Sequence, residues 1–166
     1  MANGADDGSP AAARDVERAL TLAYRHLGRR QRSEAQLRGH LQARGCSGAA
    51  VDAAVAELAR GGYVDDVRYA RAFADDRRVL DGWGAERIER GLLAAGVKRE
   101  IAAAAARARD AADELAAAVE LLRRRWSGVP TGDRERERAV GLLVRRGYEV
   151  ELAYDALRAF ERAAAG

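Results

Sequence analysis

Cysteine is almost missing from this chain. Cys46 stands alone, so no intrachain disulfide can form and a cysteine-built zinc site has no partners. His26 and His40 are the only histidines, which excludes a histidine-rich metal site. There are only two prolines, Pro10 and Pro130, and aromatic residues make up 5%. Strand-type alternation of Val, Ile, Thr and aromatics is absent, which argues against a sheet. The longest apolar stretch, Ile101 to Ala106, is far too short to span a bilayer. Met1 to Ala13 lacks the basic start and leucine-rich run of a signal peptide. Together these absences lead us to expect a cytoplasmic protein without membrane contact, cofactor or metal.

What is present points to helix. Hydrophobic residues make up 48% of the 166 residues, and alanine supplies much of that share. Alanine loses no side-chain entropy in a helix and lets helices approach closely. The length suits one ordinary domain or a short repeat array. Net charge is +3, carried by 29 Lys+Arg of which only Lys98 is lysine. A GC-rich codon bias would account for the arginine excess. The alternative is a functional preference for a planar fork that fits carboxylates and phosphates.

Residues 1–14 have no periodic pattern and read as a disordered tail. From Asp15 to about Arg30, Val16, Ala19, Leu20, Ala23, Tyr24 and Leu27 form one apolar stripe at helical spacing. Ser33 and Gln36 form a capping box that opens a second helix with Leu37 and Leu41 inward, ending at Gly45. Ser47 opens a third helix carrying Val51, Val55 and Leu58, stopped by Gly61 and Gly62. The plan then recurs. Gly45, Gly96 and Gly147 are 51 residues apart, as are Leu37, Ile88 and Ala139, and Leu41, Leu92 and Leu143. Cys46, Val97 and Tyr148 follow the glycines at the same interval. The physical device is a left-handed glycine at the helix end, with the next apolar residue folding back on the last turn. Such self-similarity marks a helical repeat array.

The spacing therefore predicts an all-α chain of three tandem three-helix repeats, at residues 15–64, 65–112 and 113–164. No glycine or proline separates Lys98 from Trp126, and a break is placed near the capping candidates Asp110 and Asp113. Gly45, Gly62, Gly96 and Gly147 are expected at positive φ. Leu37, Leu41, Tyr69, Phe73, Ile88, Leu92, Leu143 and Leu157 are expected in the core.

Nothing in the sequence composes a catalytic set. Asp65-Asp66 and Asp75-Asp76 are paired carboxylates, but helical neighbours point about 100° apart and cannot share a substrate as an acid–base pair must. Asp65 sits where a helix starts, a capping position. Gly82-Trp83-Gly84 lacks the preceding strand of a phosphate loop and reads as a helix–helix turn, with Trp83 a packing residue. Cys46 fits the apolar slot after Gly45. His26 and His40 lack the company that nucleophilic catalysis needs.

The arginines cluster. Between residues 29 and 44, Arg29, Arg30, Arg32, Arg38 and Arg44 face only Glu34. Between residues 123 and 146, Arg123, Arg124, Arg125, Arg134, Arg136, Arg138, Arg145 and Arg146 face Asp133, Glu135 and Glu137. Residues 60–81 instead balance five arginines against five aspartates. Positive charge gathers in repeats one and three, either as a solvated face or as a footprint for DNA or an acidic protein surface. The net charge is too modest for strong stand-alone DNA binding.

The segment from Gly62 to Phe73, GYVDDVRYARAF, is similar to the RecX motif G-Y-L-D-D-x-R-F-A-x-x-F. Gly82 to Val97 resembles that family's G-x-G-x-x-R-I-x-x-E-L-x-x-K-G-I, and Arg32 to Leu37 with Leu41 and Gly45 resembles its R-S-x-x-E-L-x-x-x-L-x-x-x-G. The likeness covers roughly residues 15–160. Gly91 stands where the family usually has Glu, Ala95 where it has Lys, and Tyr69 where it has Phe. The loop before Gly82 is one residue longer. A glycine inside a helix is expected to cost about 1 kcal/mol relative to alanine.

The resemblance implies an elongated, curved nine-helix array lying in the groove of the RecA–DNA filament. It implies inhibition of RecA ATPase, strand exchange and co-protease activity, and no catalytic residues. Weak contact with single- or double-stranded DNA and a monomeric state are expected alongside. Candidate partner-binding residues are Arg29, Arg30, Arg32, Arg38, Arg87, Arg123, Arg124, Arg125, Arg145 and Arg146. The motif residues are Asp65, Asp66, Arg68, Tyr69, Phe73, Arg87 and Ile88. The competing reading is an autonomous DNA-binding protein of helix-turn-helix-like repeats.

Overall fold

The computed structural model describes residues 9–164, with side chains to residue 163. Among these residues there are nine helices and no strand: α1 (Pro10–Leu27), α2 (Glu34–Ala43), α3 (Gly48–Arg60), α4 (Asp66–Asp81), α5 (Ala85–Ala94), α6 (Arg99–Ala106), α7 (Ala111–Arg125), α8 (Asp133–Arg146) and α9 (Val150–Ala164). The expected all-α class holds, and the helices follow one another in threes.

The start of α1 corrects the expected tail. Residues 10–14 are helical, because Ser9 is an N-cap whose Oγ accepts from Ala11 N and Pro10 occupies the first turn. A proline there gives up only an N–H that has no intrahelical partner. The rest of the expected tail, residues 1–8, lies outside the described residues. The other end of α1 falls at Leu27, short of Arg30, with Gly28 as its C-cap. Asp110 caps α7 by accepting from Asp113 N at 2.8 Å, so α6 and α7 are separate helices as placed.

Two compact units partition the chain. One takes the described residues through Tyr69 together with Ala95–Val97; the other takes Ala70–Ala94 and the described residues from Lys98 onward. In the first unit α1, α2 and α3 pack mutually around Leu37, Leu41, Val51, Val55 and Leu58, each at most 2% exposed. In the second, α7, α8 and α9 enclose Leu122, Leu143, Tyr148, Leu157 and Phe160. Between these triads in sequence, Ile88 and Leu92 are buried with Ala70, Ala74, Ala102, Ala105 and Ala106.

Tyr69 and Phe73 depart from expectation: both are half-buried. Ala70 and Ala74, four residues apart, take the inward line of α4. Tyr69 and Phe73 each sit one residue earlier, about 100° round the helix, and so flank the core.

All four glycines expected at positive φ adopt it: Gly45 (75°), Gly62 (71°), Gly96 (78°) and Gly147 (90°), and Gly82 (61°) joins them. At Gly45 and Gly147 the fold-back is visible in hydrogen bonds. Cys46 N donates to Leu41 O at 3.2 Å and Tyr148 N to Leu143 O at 3.1 Å.

Candidate functional site

The first arginine cluster divides on inspection. Arg29 and Arg30 are exposed in the α1–α2 loop. Arg32 is half-buried, with Nε shielded from water and without an acceptor among the described residues. Burial and the nearby charge of Arg30 lower its pKa. Arg38 is committed within the unit: it pairs with Glu34 at 2.8 Å and with Asp52, and both hydrogen bonds raise its pKa. Arg44 is exposed at the end of α2.

The histidines belong to this same corner, which the sequence did not indicate. The rings of His26, on α1, and His40, on α2, stack at 3.8 Å between centroids and 10° between planes. They line a recess of about 190 Å³ with Leu22, Arg25, Arg29 and Arg44. Burial lowers the pKa of His26 first, followed by the charges of His40, Arg32, Arg30 and Arg29. For His40 the causes are burial, then Arg44, Arg32 and Arg29.

The second cluster is dispersed in role. Arg123, Arg124 and Arg125 are exposed on the last turn of α7, where positive charge complements the helix dipole. Arg124 pairs with Glu120 at 3.1 Å, and Arg125 lies 5.6 Å from the Trp126 ring. Arg145 is exposed, whereas Arg146 is half-buried and donates to Asp81 O. Arg124 and Arg146 meet across a cavity of about 420 Å³ that Arg78, Asp81, Arg109 and Tyr148 also line. There burial, then the charge of Glu114, pushes the Tyr148 phenol up to about 12, with Arg109, Arg146 and Arg78 opposing.

The motif residues hold helix ends. Asp65 Oδ1 accepts from Val67 N and Arg68 N at 2.9 and 3.0 Å, capping α4. Asp66 Oδ1 accepts from Glu34 N at 2.8 Å, capping α2. Arg68 donates to Gly62 O at 2.7 Å. Arg87 donates to Arg145 O at 2.9 Å while its guanidinium lies 4.4 Å from the Trp83 ring, and Ile88 is fully buried. Trp83 receives Arg77 as well, at 5.2 Å, and meets Phe73 edge-on at 6.2 Å. It packs, as its turn setting suggested.

Neither carboxylate pair faces a shared cleft: Asp65 and Asp66 cap two different helices, and exposed Asp75 pairs with Arg78 at 3.4 Å. Cys46 is buried. Among the described residues no three metal-ligating side chains gather, and no helix is long and apolar enough to cross a membrane.

Comparison with known proteins is consistent along the chain. Residues 19–58 match the first three-helix domain of RecX, and residues 65–105 match the second. The chain is similar to "Regulatory protein RecX" of Thermobifida fusca (strain YX), 35% identical over 155 residues that span 91% of this chain and 83% of the relative. It is 38% identical to "Regulatory protein RecX" of Xanthomonas campestris pv. campestris (strain B100), over 81% of this chain and 80% of that one. The crystal structure of RecX from Lactobacillus salivarius superposes with a TM-score of 0.83 at 15% identity, covering 90% of this chain and 99% of that chain. A second structure, of a regulatory protein RecX, gives 0.77 at 19% identity, over 96% and 80%. At those identities the two structures bear on the fold alone.

Proposed function

The chain belongs to the RecX family, and on that premise we propose that it binds the filament formed by RecA on DNA and inhibits its ATPase, strand-exchange and co-protease activities. It thereby modulates recombination, DNA repair and the SOS response in the cytoplasm. The observation that carries this reading is the 35% identity to a regulatory RecX across 91% of the chain. The geometry agrees in kind: the motif carboxylates and arginines are spent on helix ends. We assign the filament contact to the exposed arginines Arg29, Arg30, Arg123, Arg124, Arg125 and Arg145. Arg38, Arg87 and Arg146 are held by partners of their own, and Arg32 is half-buried.

The test is DNA-dependent ATP hydrolysis by RecA with purified protein added at substoichiometric ratios. Loss of hydrolysis is expected; unchanged hydrolysis at every ratio sinks the proposal. Salt-titrated DNA binding without RecA separates it from autonomous DNA binding, which requires submicromolar affinity at physiological salt.

A further inference from the structure

We propose that the recess between α1 and α2, floored by the stacked His26 and His40 rings, is a binding site for a phosphate oxyanion. This does not depend on the filament reading, because its test needs no RecA.

The recess has a lining of one sign. Its six residues are Leu22, Arg25, His26, Arg29, His40 and Arg44, so every polar group on the wall is a cation or can become one. Arg30 and Arg32, on the loop after α1, add their charge to His26, and Arg32 adds to His40. From α2, Arg38 is turned to Glu34 and Asp52, and Asp52 is the α3 carboxylate engaged in that pairing. Among the described residues, no carboxylate is among the charges acting on either imidazole. Like charges converge here, and among the described residues no carboxylate lines the recess.

The ring geometry selects the ligand class. Stacked parallel imidazoles hold their nitrogens at the ring edges, so the pair cannot converge on one metal ion between the faces. Surrounding guanidiniums repel a cation in any case. An oxyanion meets the opposite situation, with arginine forks to receive its oxygens and imidazole N–H donors beside them. The volume of about 190 Å³ admits a phosphate group. A phosphate could arrive free or as one link of a nucleic-acid backbone, and the recognising chemistry is the same.

Proton linkage follows from the same geometry. The free pair resists protonation, first because burial penalises the charged ring and then because arginines stand around both, with His40 also acting on His26. An anion in the recess cancels part of that field and favours the protonated rings. Affinity therefore rises as pH falls, by up to about tenfold per pH unit for each proton taken up on binding. An arginine-only surface site would show no such dependence, since guanidinium does not titrate in this range.

The experiment follows the histidine ring signals of the full chain by NMR between about pH 5 and 8, at constant ionic strength set with chloride. One arm adds sulfate, whose charge is fixed over that range, and the other adds a short thymidine oligonucleotide. Both His pKa values are expected to move up on binding, and affinity to increase toward low pH. A response to both probes points to backbone phosphate, and a response to sulfate alone points to a free oxyanion. Histidine signals indifferent to both probes overturn the proposal. The His26→Gln/His40→Gln double variant should keep its melting temperature and lose the pH dependence. Arg44→Glu, an exposed change at the rim, should lose sulfate binding at least tenfold. Retention of binding and pH dependence by both folded variants would also overturn it.

Discussion

The same contact is built twice in this molecule, and the two versions differ. In the first unit the start of α2 rests on the turn at 95–97. Ser33 Oγ donates to Ala95 O at 2.5 Å, and Ala35 lies over Gly96, where an added Cβ would come within 2.3 Å of its methyl. In the second unit the start of α5 rests on the turn after α8. There the bonds run backbone to backbone: Gly84 N to Arg146 O at 2.8 Å and Glu86 N to Gly147 O at 3.0 Å. Ser33 and Gly84 are 51 residues apart, as are Ala95 and Arg146, so these are one joint in two chemistries. A hydroxyl bridges the gap where serine stands. Where glycine stands, the backbones close in, and a Cβ on Gly84 would meet Gly147 O at 2.5 Å. The closer joint is the less forgiving one, because backbone cannot swing aside as a side chain can.

The largest effects should separate the three glycines of the repeat column. At Gly147, φ is +90° and an added Cβ would lie 2.3 Å from Arg87 Cβ and 2.4 Å from Arg87 N. Gly147→Ala should cost about 3–5 kcal/mol, combining left-handed strain with overpacking against backbone. Gly96→Ala should cost nearly as much alone, but its clash is with the Ala35 methyl at 2.3 Å, while Ala35 Cα stands at an ordinary 3.8 Å. Adding Ala35→Gly should recover about 1–2 kcal/mol of it. Gly45→Ala meets nothing nearer than an Arg18 nitrogen at 3.9 Å, so only the strain of about 1–2 kcal/mol remains. Denaturant melts of the four variants check the order. Equal losses at Gly45 and Gly147 would mean that the joints carry no stability.

A smaller difference lies in how each joint caps its helix. Glu34 N is met by Asp66, and Ala85 N by Glu114 Oε1 at 3.0 Å, each carboxylate coming from the first turn of the following helix triad. Glu114 is 9% exposed and lies 3.7 Å from Arg109, while Asp66 is half-buried. Glu114→Ala should therefore cost about 2 kcal/mol, against about 1 kcal/mol for Asp66→Ala. Chemical denaturation reads the gap, and a reversed order would show that solvent replaces Glu114 freely.

Within the second unit, Gly91 tests a smaller term still. A glycine in mid-helix should be improved by alanine, by about 1 kcal/mol. Here the added methyl would approach Phe73 Cζ at 2.9 Å and Trp83 at 3.4 Å. Phe73 is half-buried and can shift, at the expense of its contact with Trp83. The two effects oppose, so Gly91→Ala should change stability by less than about 0.5 kcal/mol. A gain of the full propensity term would show that the ring moves freely.

These joints explain what the sequence revealed and what it withheld. Helix ends were legible because their signals are local: Ser33 with Gln36, the glycine column, and Asp110 before α7. The 51-residue period was legible for the same reason. The partner of each cap was not, since Asp66 reaches Glu34 and Glu114 reaches Ala85 only through the fold. Tyr69 and Phe73 looked like core because their spacing is that of a helix stripe; spacing fixes a face, and the alanines beside them took the inward one. In the candidate site, the arginine clusters were visible as composition. Sequence distance hid that Arg87 and Arg146 are engaged, that Arg38 reaches Asp52, and that His26 and His40, fourteen residues apart, share a stack.

Small stability effects should also come from the exposed corners, where function is expected to be largest. Arg29 and Arg30 in one unit, and Arg123, Arg124 and Arg125 in the other, are exposed. Of these, only Arg124 forms an ion pair among the described residues, and surface pairs of that kind contribute at most about 1 kcal/mol. Reversal of Arg29 and Arg30 to Glu should shift stability by less than about 0.5 kcal/mol. Reversal of Arg123, Arg124 and Arg125 removes favourable charge from the α7 C-terminus and should cost about 1 kcal/mol. Against RecA the order should not follow stability. If these side chains meet phosphate or acidic protein surface, each variant loses inhibition of ATP hydrolysis, and the loss is greatest at low salt where charge acts at longest range. Arg87→Ala is the contrasting control, since Arg87 acts inside the second joint through Trp83 and Arg145 O. It should lower the melting temperature and impair inhibition only in proportion to unfolding. Full inhibition by both corner variants, with an unchanged salt dependence, would reduce the clusters to a solvated face.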